Sequence, residues 1–326
     1  MTAQRTATSR RPRALLRRLA RKLDLGPDQD RHRTAEDRHA MARIRAGVVL
    51  PRRLPRPRHA GSIWAVTMVK DEDDIIGRVV EHLLRQGVSH LLVSDNGSTD
   101  DTVGAVRRVA GSARLTVVND PVREFFQSLK MTHLSRYAWR QGADWVLPFD
   151  ADEFWFGADG RLTDVLAGLT GDVVEARVHN VFPSREHGWV LDTVPHAQGK
   201  VCFRSDPDAV LTQGNHSVHH PAGPPADRES LVLLHVPWRS REQLGRKLVK
   251  GALAYEGTGS LAGMGSHWPR FAGVTPERAQ EVWDAICRGE PVDDLAWNPV
   301  GTLVPIDLDA ALRCDSWAQL RQEALG

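Results

Sequence analysis

Short apolar runs alternate with helical patterns through residues 63–149. Residues 63–69 form an apolar run that favours a buried strand, and the apolar residues of 75–84 recur at the spacing of an amphipathic helix. The same alternation then predicts strands at 89–93, 115–118 and 145–149, with helices at 101–110 and 126–141. This βαβαβαβ order predicts an open, mainly parallel sheet flanked by helices, because parallel neighbours need crossover connections.

Polar side chains follow the first, second and fourth predicted strands at the point where each strand ends. Lys70 and Glu72 follow the first strand, Asp95 follows the second, and Asp150 and Asp152 follow the fourth. The carboxyl ends of parallel strands meet at one edge of a sheet, so we expect these five side chains to face one crevice. An Asp-x-Asp pair offers two hard oxygen ligands, which suit Mg²⁺ or Mn²⁺ carrying a diphosphate.

Other classes of site are disfavoured by motifs that the sequence lacks. No Gly-x-Gly-x-x-Gly follows the first strand, and no Gly-x-x-x-x-Gly-Lys-Ser/Thr occurs, which argues against a dinucleotide fold and a P-loop. The 3 cysteines are widely spaced, which argues against a disulfide framework and fits a reducing cytoplasm. No apolar run approaches the roughly 18 residues of a membrane span.

The first 60 residues are predicted to be a basic arm, partly disordered, ahead of a domain covering 61–326. The arm holds 17 Lys+Arg against 5 Asp+Glu, although the whole chain has a net charge of only +2. Residues 13–23 place leucines on one helical face among basic residues, which predicts peripheral contact with an anionic membrane. A solvated tail is the alternative, and nucleic acid is disfavoured because no aromatic residue is present to stack on bases. Residues 51–58 are rich in Pro and Arg and predict an extended linker.

Residues 157–326 have weaker periodicity and are expected to form the acceptor side and C-terminal helices. Strands are predicted at 173–178 and 231–235, a loop at 182–199, and amphipathic helices at 276–289 and 308–323. Four tryptophans are expected to pack in the core or to stack on a sugar ring: Trp268, Trp283, Trp297 and Trp317.

Three motifs in this order resemble those of the family 2 type glycosyltransferases, which have the GT-A fold. They are VTMVKDE at 66–72, VSDNGSTD at 93–100, and DWV through DADEF at 144–154. The match is to the branch with the Asp-Asn-Gly-Ser-Thr-Asp and Asp-x-Asp-Glu-Phe motifs. The resemblance covers residues 63–156 clearly and 175–250 more weakly, and it implies a GT-A-like α/β domain.

The resemblance also implies roles for the nucleotide-facing residues. Val69 or Lys70 and Asp95 would hold the nucleoside, with Glu72 in the same group, and a carboxylate such as Asp95 can accept the imide N–H of uracil. Lys130 would contact phosphate, or else lie on a solvated helix face.

The metal and diphosphate contacts implied by the resemblance come from both halves of the chain. Asp150 would lie near the ribose and hold the metal together with Asp152, and His235 would complete the metal shell as the third ligand. Arg239 and Lys247 would contact phosphate and offset the charge of the departing diphosphate.

Inverting members of that family use a carboxylate base, for which Asp192 and Glu186 are the candidates. His216 is expected in the wall of the active site, facing diphosphate or acceptor. A zinc site through His216 and His220 is disfavoured, because Gly214 and Pro221 break the helix that it would need.

The sequence therefore predicts a Mn²⁺- or Mg²⁺-dependent glycosyltransferase that moves a sugar, with inversion, from a nucleotide (UDP) sugar to a hydroxyl. The predicted acceptor is a glycan or a lipid-linked molecule, and the predicted location is cytoplasmic, at the inner face of the membrane if the arm binds lipid. Two alternatives stay open: a sugar-phosphate nucleotidyltransferase and a non-catalytic nucleotide- or glycan-binding protein of the same fold.

Overall fold

The computed structural model describes residues 34–255, 274–293, 295 and 297–325, with side chains of 250–255 excepted. Its helices are numbered in chain order: α1 Ala35–Gly47, α2 Ile76–Arg85, α3 Thr102–Ala110, α4 Gln127–Arg140, α5 Leu162–Gly168, α6 Arg241–Tyr255, α7 Pro276–Cys287, α8 Leu308–Ala311 and α9 Trp317–Glu323. The strands are β1 Ile63–Val69, β2 His90–Asp95, β3 Leu115–Asn119, β4 Trp145–Pro148, β5 Glu153–Gly157, β6 Val173–Ser184, β7 Gly188–Asp192, β8 Lys200–Arg204, β9 Val210–Leu211, β10 Val218–His219, β11 Leu231–His235 and β12 Leu303–Pro305. None of the described helices is long and apolar enough to cross a membrane.

One large mixed sheet organises the fold, with strand order β12-β7-β6-β8-β4-β1-β2-β3. The strands β4, β1, β2 and β3 are parallel neighbours, whereas β8, β7 and β12 pair antiparallel. Strand β11 runs parallel to β6 and antiparallel to β5, which brings its last residue beside the first residue of β5. The predicted α/β class and the open sheet are confirmed, and the carboxyl ends of β1, β2 and β4 do meet at one edge.

Helices cover both faces of this sheet because each presents an apolar stripe to it. In α2, for example, Ile76, Val79, Val80 and Leu83 recur at three- and four-residue spacing and are all fully buried. The helices α2, α3, α8 and α9 contribute to one core cluster, and α1 and α4 contribute to the cluster on the other face. A third cluster joins α6 and α7 to β6 and β7. The sheet is therefore buried on both sides, which leaves its edge loops to form the site.

The predicted domain boundary at residue 60 is wrong, because α1 belongs to the folded domain. Thr34 caps this helix in a capping box with Asp37, and the buried side chains of Met41 and Ile44 pack in the same cluster as α4. Residues 49–59, which include the linker predicted at 51–58, have no regular secondary structure, and the Arg56 N–H bond to the Arg140 carbonyl ties them to the domain. The predicted basic helix at 13–23 lies outside the described residues.

Two other predictions in the second half are wrong. The loop expected at 182–199 instead begins with a β-hairpin, because β6 continues to Ser184 and β7 returns antiparallel beside it. The single helix expected at 308–323 is two helices, since Ser316 turns extended and caps a new helix through the Gln319 N–H. The strands predicted at 173–178 and 231–235 and the helix at 276–289 are confirmed.

Candidate active site

Asp150 lies two residues after the end of β4, at the edge where the parallel strands end. Its Oδ1 accepts hydrogen bonds from Gln127 Nε2 and Asn215 Nδ2, both at 3.2 Å. Its Oδ2 lies 2.6 Å from the Lys200 Nζ. Three donors from three different elements therefore fix the orientation of a carboxylate that is still about one-third exposed, with a side-chain exposure of 32%.

Lys200 also pairs with Glu153, the residue that follows the Asp-x-Asp pair. Its Nζ lies 2.7 Å from Glu153 Oε1, and the two side chains are 4% and 1% exposed. Burial raises the pKa of Glu153, but its oxygens face the Lys200 ammonium and the Asp150 N–H, both of which stabilise the ionised form. Burial acts to lower the pKa of Lys200, and the two carboxylates outweigh it and raise that pKa. Lys200 thus joins β8 to the acidic turn.

Asp152 is the second acid of the pair, and cations surround it. It is 5% exposed. Its Oδ2 lies 2.7 Å from Lys247 Nζ and 3.6 Å from Arg239 Nη1. Burial alone would raise the pKa of Asp152, but the positive charges of Lys247 and Arg239 oppose burial, and this pKa lies well below its ordinary value. The carboxylate is therefore ionised at neutral pH in an enclosed, positively charged corner.

His235 reaches the same carboxylate from the end of β11. Its Nδ1 donates to the amide oxygen of Asn180 at 2.9 Å, since an amide oxygen can only accept. The proton is thereby placed on Nδ1, and the lone pair of Nε2 faces Asp152 Oδ2 at 3.7 Å. Burial lowers the pKa of His235, which favours the neutral ring that metals require.

Two of the three predicted metal ligands meet, and the third does not. The Nε2 of His235 and a carboxylate oxygen of Asp152 form a donor pair that fits Mn²⁺ or Mg²⁺, and their 3.7 Å separation can be bridged by ligand bonds of about 2.0–2.2 Å. Asp150 instead turns to Lys200. In the described part of the chain, no group of three or more His, Cys, Asp or Glu side chains could hold a metal ion. A cation here would therefore use two protein ligands, and phosphate or water would supply the rest.

Arg239 connects this corner to the loop after β1. Its guanidinium binds both carboxylate oxygens of Asp74, at 2.7 and 3.0 Å, and also bonds to Glu72. Burial raises the pKa of Glu72, and the positive charge of Arg239 opposes that rise. The loop after β1 and the segment after β11 are held together in this way. Glu72 was expected to face the crevice, and here it binds Arg239.

The ends of β1 and β2 form the predicted nucleoside corner. Val69 pairs with Asp95 in the parallel register, and Asp95 Oδ1 accepts the Ser98 N–H at 3.0 Å. Among the described residues, none bonds to the other carboxylate oxygen of Asp95, so it is available to a ligand. Lys70 is exposed at the same edge. Gly97 has a φ of +77°, and a Cβ there would meet the Arg123 side chain, so the turn requires glycine.

The loop at 213–216 closes over Asp150, as expected for a wall of the site. Asn215 is fully buried and has a φ of +56°, a strained conformation that persists where surrounding contacts hold it. His216 donates from Nδ1 to the carbonyl of Gly199 at 2.8 Å, which docks the loop beside Lys200. Burial lowers the pKa of His216 to about 4, so the ring is neutral at physiological pH.

The predicted phosphate contact by Lys130 is not supported. Lys130 is 1% exposed, and its Nζ lies 2.7 Å from the carboxylate of Asp120, which is fully buried. It also donates to the Val122 carbonyl at 2.5 Å. Lys130 is therefore an internal cation that ties α4 to the loop after β3, and neither predicted position, a phosphate site or a solvated helix face, describes it.

Neither candidate base has the surroundings that a base needs. Asp192 is fully buried, and its two oxygens accept the backbone N–H groups of Val194, Val300 and Gly301 at 2.6–3.0 Å. Glu186 lies at the tip of the β6–β7 hairpin with its side chain 83% exposed. Asp192 therefore anchors a loop, and Glu186 is a surface acid.

Several residues of the site were not predicted from the sequence. They are Asp74, Gln127, Asn180, Lys200 and Asn215. Asp74 lies in the acidic cluster after β1, and this cluster can be recognised in the sequence. The other four stand in no motif, and they reach the site through strand pairing and loop docking that no local pattern encodes.

Comparison with known proteins gives loose structural likenesses. No family model and no curated protein matches this sequence. S. aureus TarS 1–349 in complex with UDP-GlcNAc has 11% identity and a TM-score of 0.40, over 64% of this chain and 70% of that one. Glucosyl-3-phosphoglycerate synthase from Mycobacterium tuberculosis, in complex with Mn²⁺, UDP and phosphoglyceric acid, has 22% identity and a TM-score of 0.27, over 36% and 43% of the two chains. With TM-scores this low, neither likeness assigns a function to this chain.

Proposed function

We propose that this protein is a glycosyltransferase that transfers a sugar from a nucleotide sugar, with UDP as the nucleotide, to an acceptor hydroxyl. The observation that carries the proposal is the Asp152 corner. A buried carboxylate, the Nε2 of His235 and the cations Lys247 and Arg239 converge beside the carboxyl ends of parallel strands. Ligands bind at that edge in open α/β sheets, and the free oxygen of Asp95 lies on the same edge.

The charges of this corner suit a departing nucleoside diphosphate. In the ligand-free protein Lys247 and Arg239 neutralise Asp152. A bound diphosphate gives these two cations a second set of oxygens at which negative charge grows as the sugar leaves. A divalent ion held by Asp152 and His235 would neutralise the same oxygens as a Lewis acid. Asn180 orients His235 for that role through Nδ1.

On the nucleoside side, Asp95 would accept the imide N–H of a uracil base, and Val69 would pack beside it. Asp150 is fixed by Gln127, Asn215 and Lys200, and its exposed side would meet the ribose without reorganising. Inversion of the anomeric centre stays a prediction of the resemblance. A glycan or lipid-linked acceptor, the cytoplasmic location and the membrane contact of residues 13–23 stay predictions from the sequence.

A sugar-phosphate nucleotidyltransferase fits these contacts less well. A triphosphate substrate needs several donors after β1, and that loop instead carries Glu72 and Asp74, both bound to Arg239. A non-catalytic binding protein would keep the same contacts without turnover, so turnover is the decisive property.

The test is release of UDP from a panel of UDP-sugars, with GDP-mannose as a second nucleotide, in the presence of Mn²⁺ or of EDTA. Slow hydrolysis of one UDP-sugar that falls at least tenfold in Lys247→Met supports the proposal. Arg241→Met is the matched control, since Arg241 lies on the same helix but pairs at the surface with Glu242. No release from any donor by folded protein would favour the non-catalytic alternative, and pyrophosphate release from UTP with a sugar 1-phosphate would favour the nucleotidyltransferase.

A further inference from the structure

We propose that Trp297 and His196 form a subsite for an uncharged sugar ring beside His235, and that Asp192 holds this subsite in place. The inference deepens the proposed function, on which it rests, by naming the surface that receives a sugar. The ring has two sources in such a reaction, the donor sugar and a glycoside acceptor. The experiment below separates them.

Trp297 is half-buried and contacts two histidines at the site. Its ring centroid lies 4.4 Å from that of His235 at an interplanar angle of 72°, and 4.7 Å from that of His196 at 54°. His196 is half-buried as well, in an otherwise exposed stretch at 193–198. The indole therefore borders the Asp152 corner through His235 while it keeps accessible surface of its own.

The segment that carries Trp297 has no regular secondary structure, yet its backbone is held at several points. The indole N–H of Trp238 donates to the Trp297 carbonyl at 3.4 Å. Asn298 accepts the Val292 N–H at 2.8 Å and donates to the carbonyls of Val292 and Leu295 at 2.9 and 3.0 Å. A platform fixed in this way loses little conformational entropy when a ligand stacks on it.

Asp192 provides the strongest of these anchors. Its carboxylate is fully buried and accepts the N–H groups of Val300 and Gly301, three and four residues after Trp297, at 2.6 and 3.0 Å. It also accepts the Val194 N–H at 3.0 Å, two residues before His196. One carboxylate thus joins the two segments that carry the two rings, through backbone N–H donors from both of them.

The chemistry of this surface suits a sugar ring rather than phosphate. The C–H face of a pyranose is apolar and slightly positive, and it complements the negative face of an indole. Burial lowers the pKa of His196, so the imidazole is neutral at physiological pH and acts as a hydrogen-bonding group for hydroxyls. The cations of the site, Lys247 and Arg239, are gathered on Asp152 instead. Charged and uncharged parts of a nucleotide sugar and its acceptor would then separate across His235.

The experiment compares the wild type with Trp297→Leu, which keeps an apolar side chain and removes the flat ring, and with Trp297→Tyr, which keeps a ring. Trp317→Leu is the matched control, because Trp317 is also half-buried and stacked on a histidine, His179, but packs against the core of the α2 face. In the acceptor arm, saturation-transfer NMR measures binding of the methyl glycosides of glucose, galactose, mannose and N-acetylglucosamine, with UDP and Mn²⁺ present. In the donor arm, calorimetry measures how much more tightly UDP-glucose and UDP-N-acetylglucosamine bind than UDP.

We expect Trp297→Leu to weaken one arm about three- to tenfold, the size of one aromatic contact, while Trp297→Tyr and Trp317→Leu stay near the wild type. Loss in the glycoside arm assigns the subsite to the acceptor, and loss of the preference for UDP-sugars over UDP assigns it to the donor. If UDP binds and neither arm depends on Trp297, the subsite is refuted while the nucleotide site stands. If the wild type binds no UDP, the proposed function fails, and the glycoside arm alone then decides whether Trp297 binds sugars.

Discussion

Lys200→Met removes the only cation recorded on Glu153 among the described residues, and the consequence can be worked out from the structure. Glu153 is 1% exposed, so without Lys200 its protonated form has the lowest free energy in the folded protein. Its unfolded-state pKa is 4.5, so carrying that proton at pH 7 costs about 3 kcal/mol, at about 1.4 kcal/mol per pH unit. At pH 5 the same cost is below about 1 kcal/mol.

The expected result is therefore a loss of stability that depends on pH. Lys200 lowers the pKa of Glu153, so removing its ammonium raises that pKa further, and the folded variant binds more protons than the folded wild type. The extra loss of stability is therefore small below pH 4.5 and grows as the pH rises. For 326 residues the unfolding entropy is roughly 0.7 kcal/mol/K, so the melting temperature should fall by up to about 4 °C at pH 7 and up to about 1 °C at pH 5.

Differential scanning calorimetry of the wild type and the variant at both pH values makes the measurement. The control is Lys200→Met with Glu153→Gln, which replaces the buried acid with a neutral side chain of the same shape and should recover most of the loss at pH 7. An equal fall at pH 7 and pH 5, or no recovery in the double variant, would refute the reasoning and assign the effect to packing of the lysine stem.

Three further outcomes are expected. Lys130→Met leaves Asp120 buried without the Lys130 ammonium and should lower the stability measured by urea unfolding by about 3–5 kcal/mol. The folded fraction should bind UDP as the wild type does. Weaker UDP binding by the folded variant would support a phosphate contact by Lys130. Asp192→Asn should lower the stability by about 1–3 kcal/mol, because backbone N–H groups lose their carboxylate acceptor. The UDP affinity measured by calorimetry should stay unchanged. A turnover defect without loss of stability would instead support a catalytic base at Asp192. Burial lowers the pKa of His82 to about 4, so the folded state resists protonation of this ring. The protein should therefore lose about 3 kcal/mol of stability as the pH falls from 6.5 to 4. His82→Gln should flatten this pH dependence in unfolding experiments, and an unchanged slope would contradict the assignment to His82.

The elements of residues 61–156 could be predicted because each has a clear local pattern. Strands β1 to β4 are short apolar runs, the helices between them carry apolar stripes, and the polar residues stand where each strand ends. The convergence of Asp95, Asp150 and Asp152 followed from parallel topology alone. The His235 contact with Asp152 was expected only through the resemblance, and the structure forms it by pairing β11 with both β5 and β6.

Errors arose where tertiary packing overrides a local pattern. Helix α1 carries a capping box at Thr34 and Asp37, but its few apolar residues lie among many charges, so the local pattern predicts an arm rather than a packed helix. Lys130 lies on α4, which is covered by the sheet on one side and by α1 on the other, so this helix has almost no solvated face. Sequence periodicity cannot reveal that second cover, and it therefore cannot distinguish an internal lysine from a phosphate ligand.

The second half was harder because its site residues depend on non-local pairing. The hairpin of β6 and β7 is hidden in a stretch rich in Gly, Pro and His, so Asp192 could not be placed at a strand end. Asn180 and Lys200 reach the site through strand pairing, which places each one beside a residue distant in sequence. The segment after Trp297 is held by hydrogen bonds from the Val300 and Gly301 N–H groups to Asp192, more than one hundred residues earlier, and no motif signals that link.

The most direct test of the central claim, that the Asp152 corner binds a nucleoside diphosphate, is the melting shift caused by UDP with and without Mn²⁺. Asp152→Asn is compared with Asp159→Asn, a control at an exposed aspartate in the turn after β5. At 100 times its dissociation constant UDP should add about 2.7 kcal/mol, roughly 4 °C for this chain, in the wild type and in the control. We expect Asp152→Asn to abolish the part of the UDP-induced melting shift that requires Mn²⁺. An identical shift in Asp152→Asn, or no shift with any nucleotide in folded protein, would contradict it.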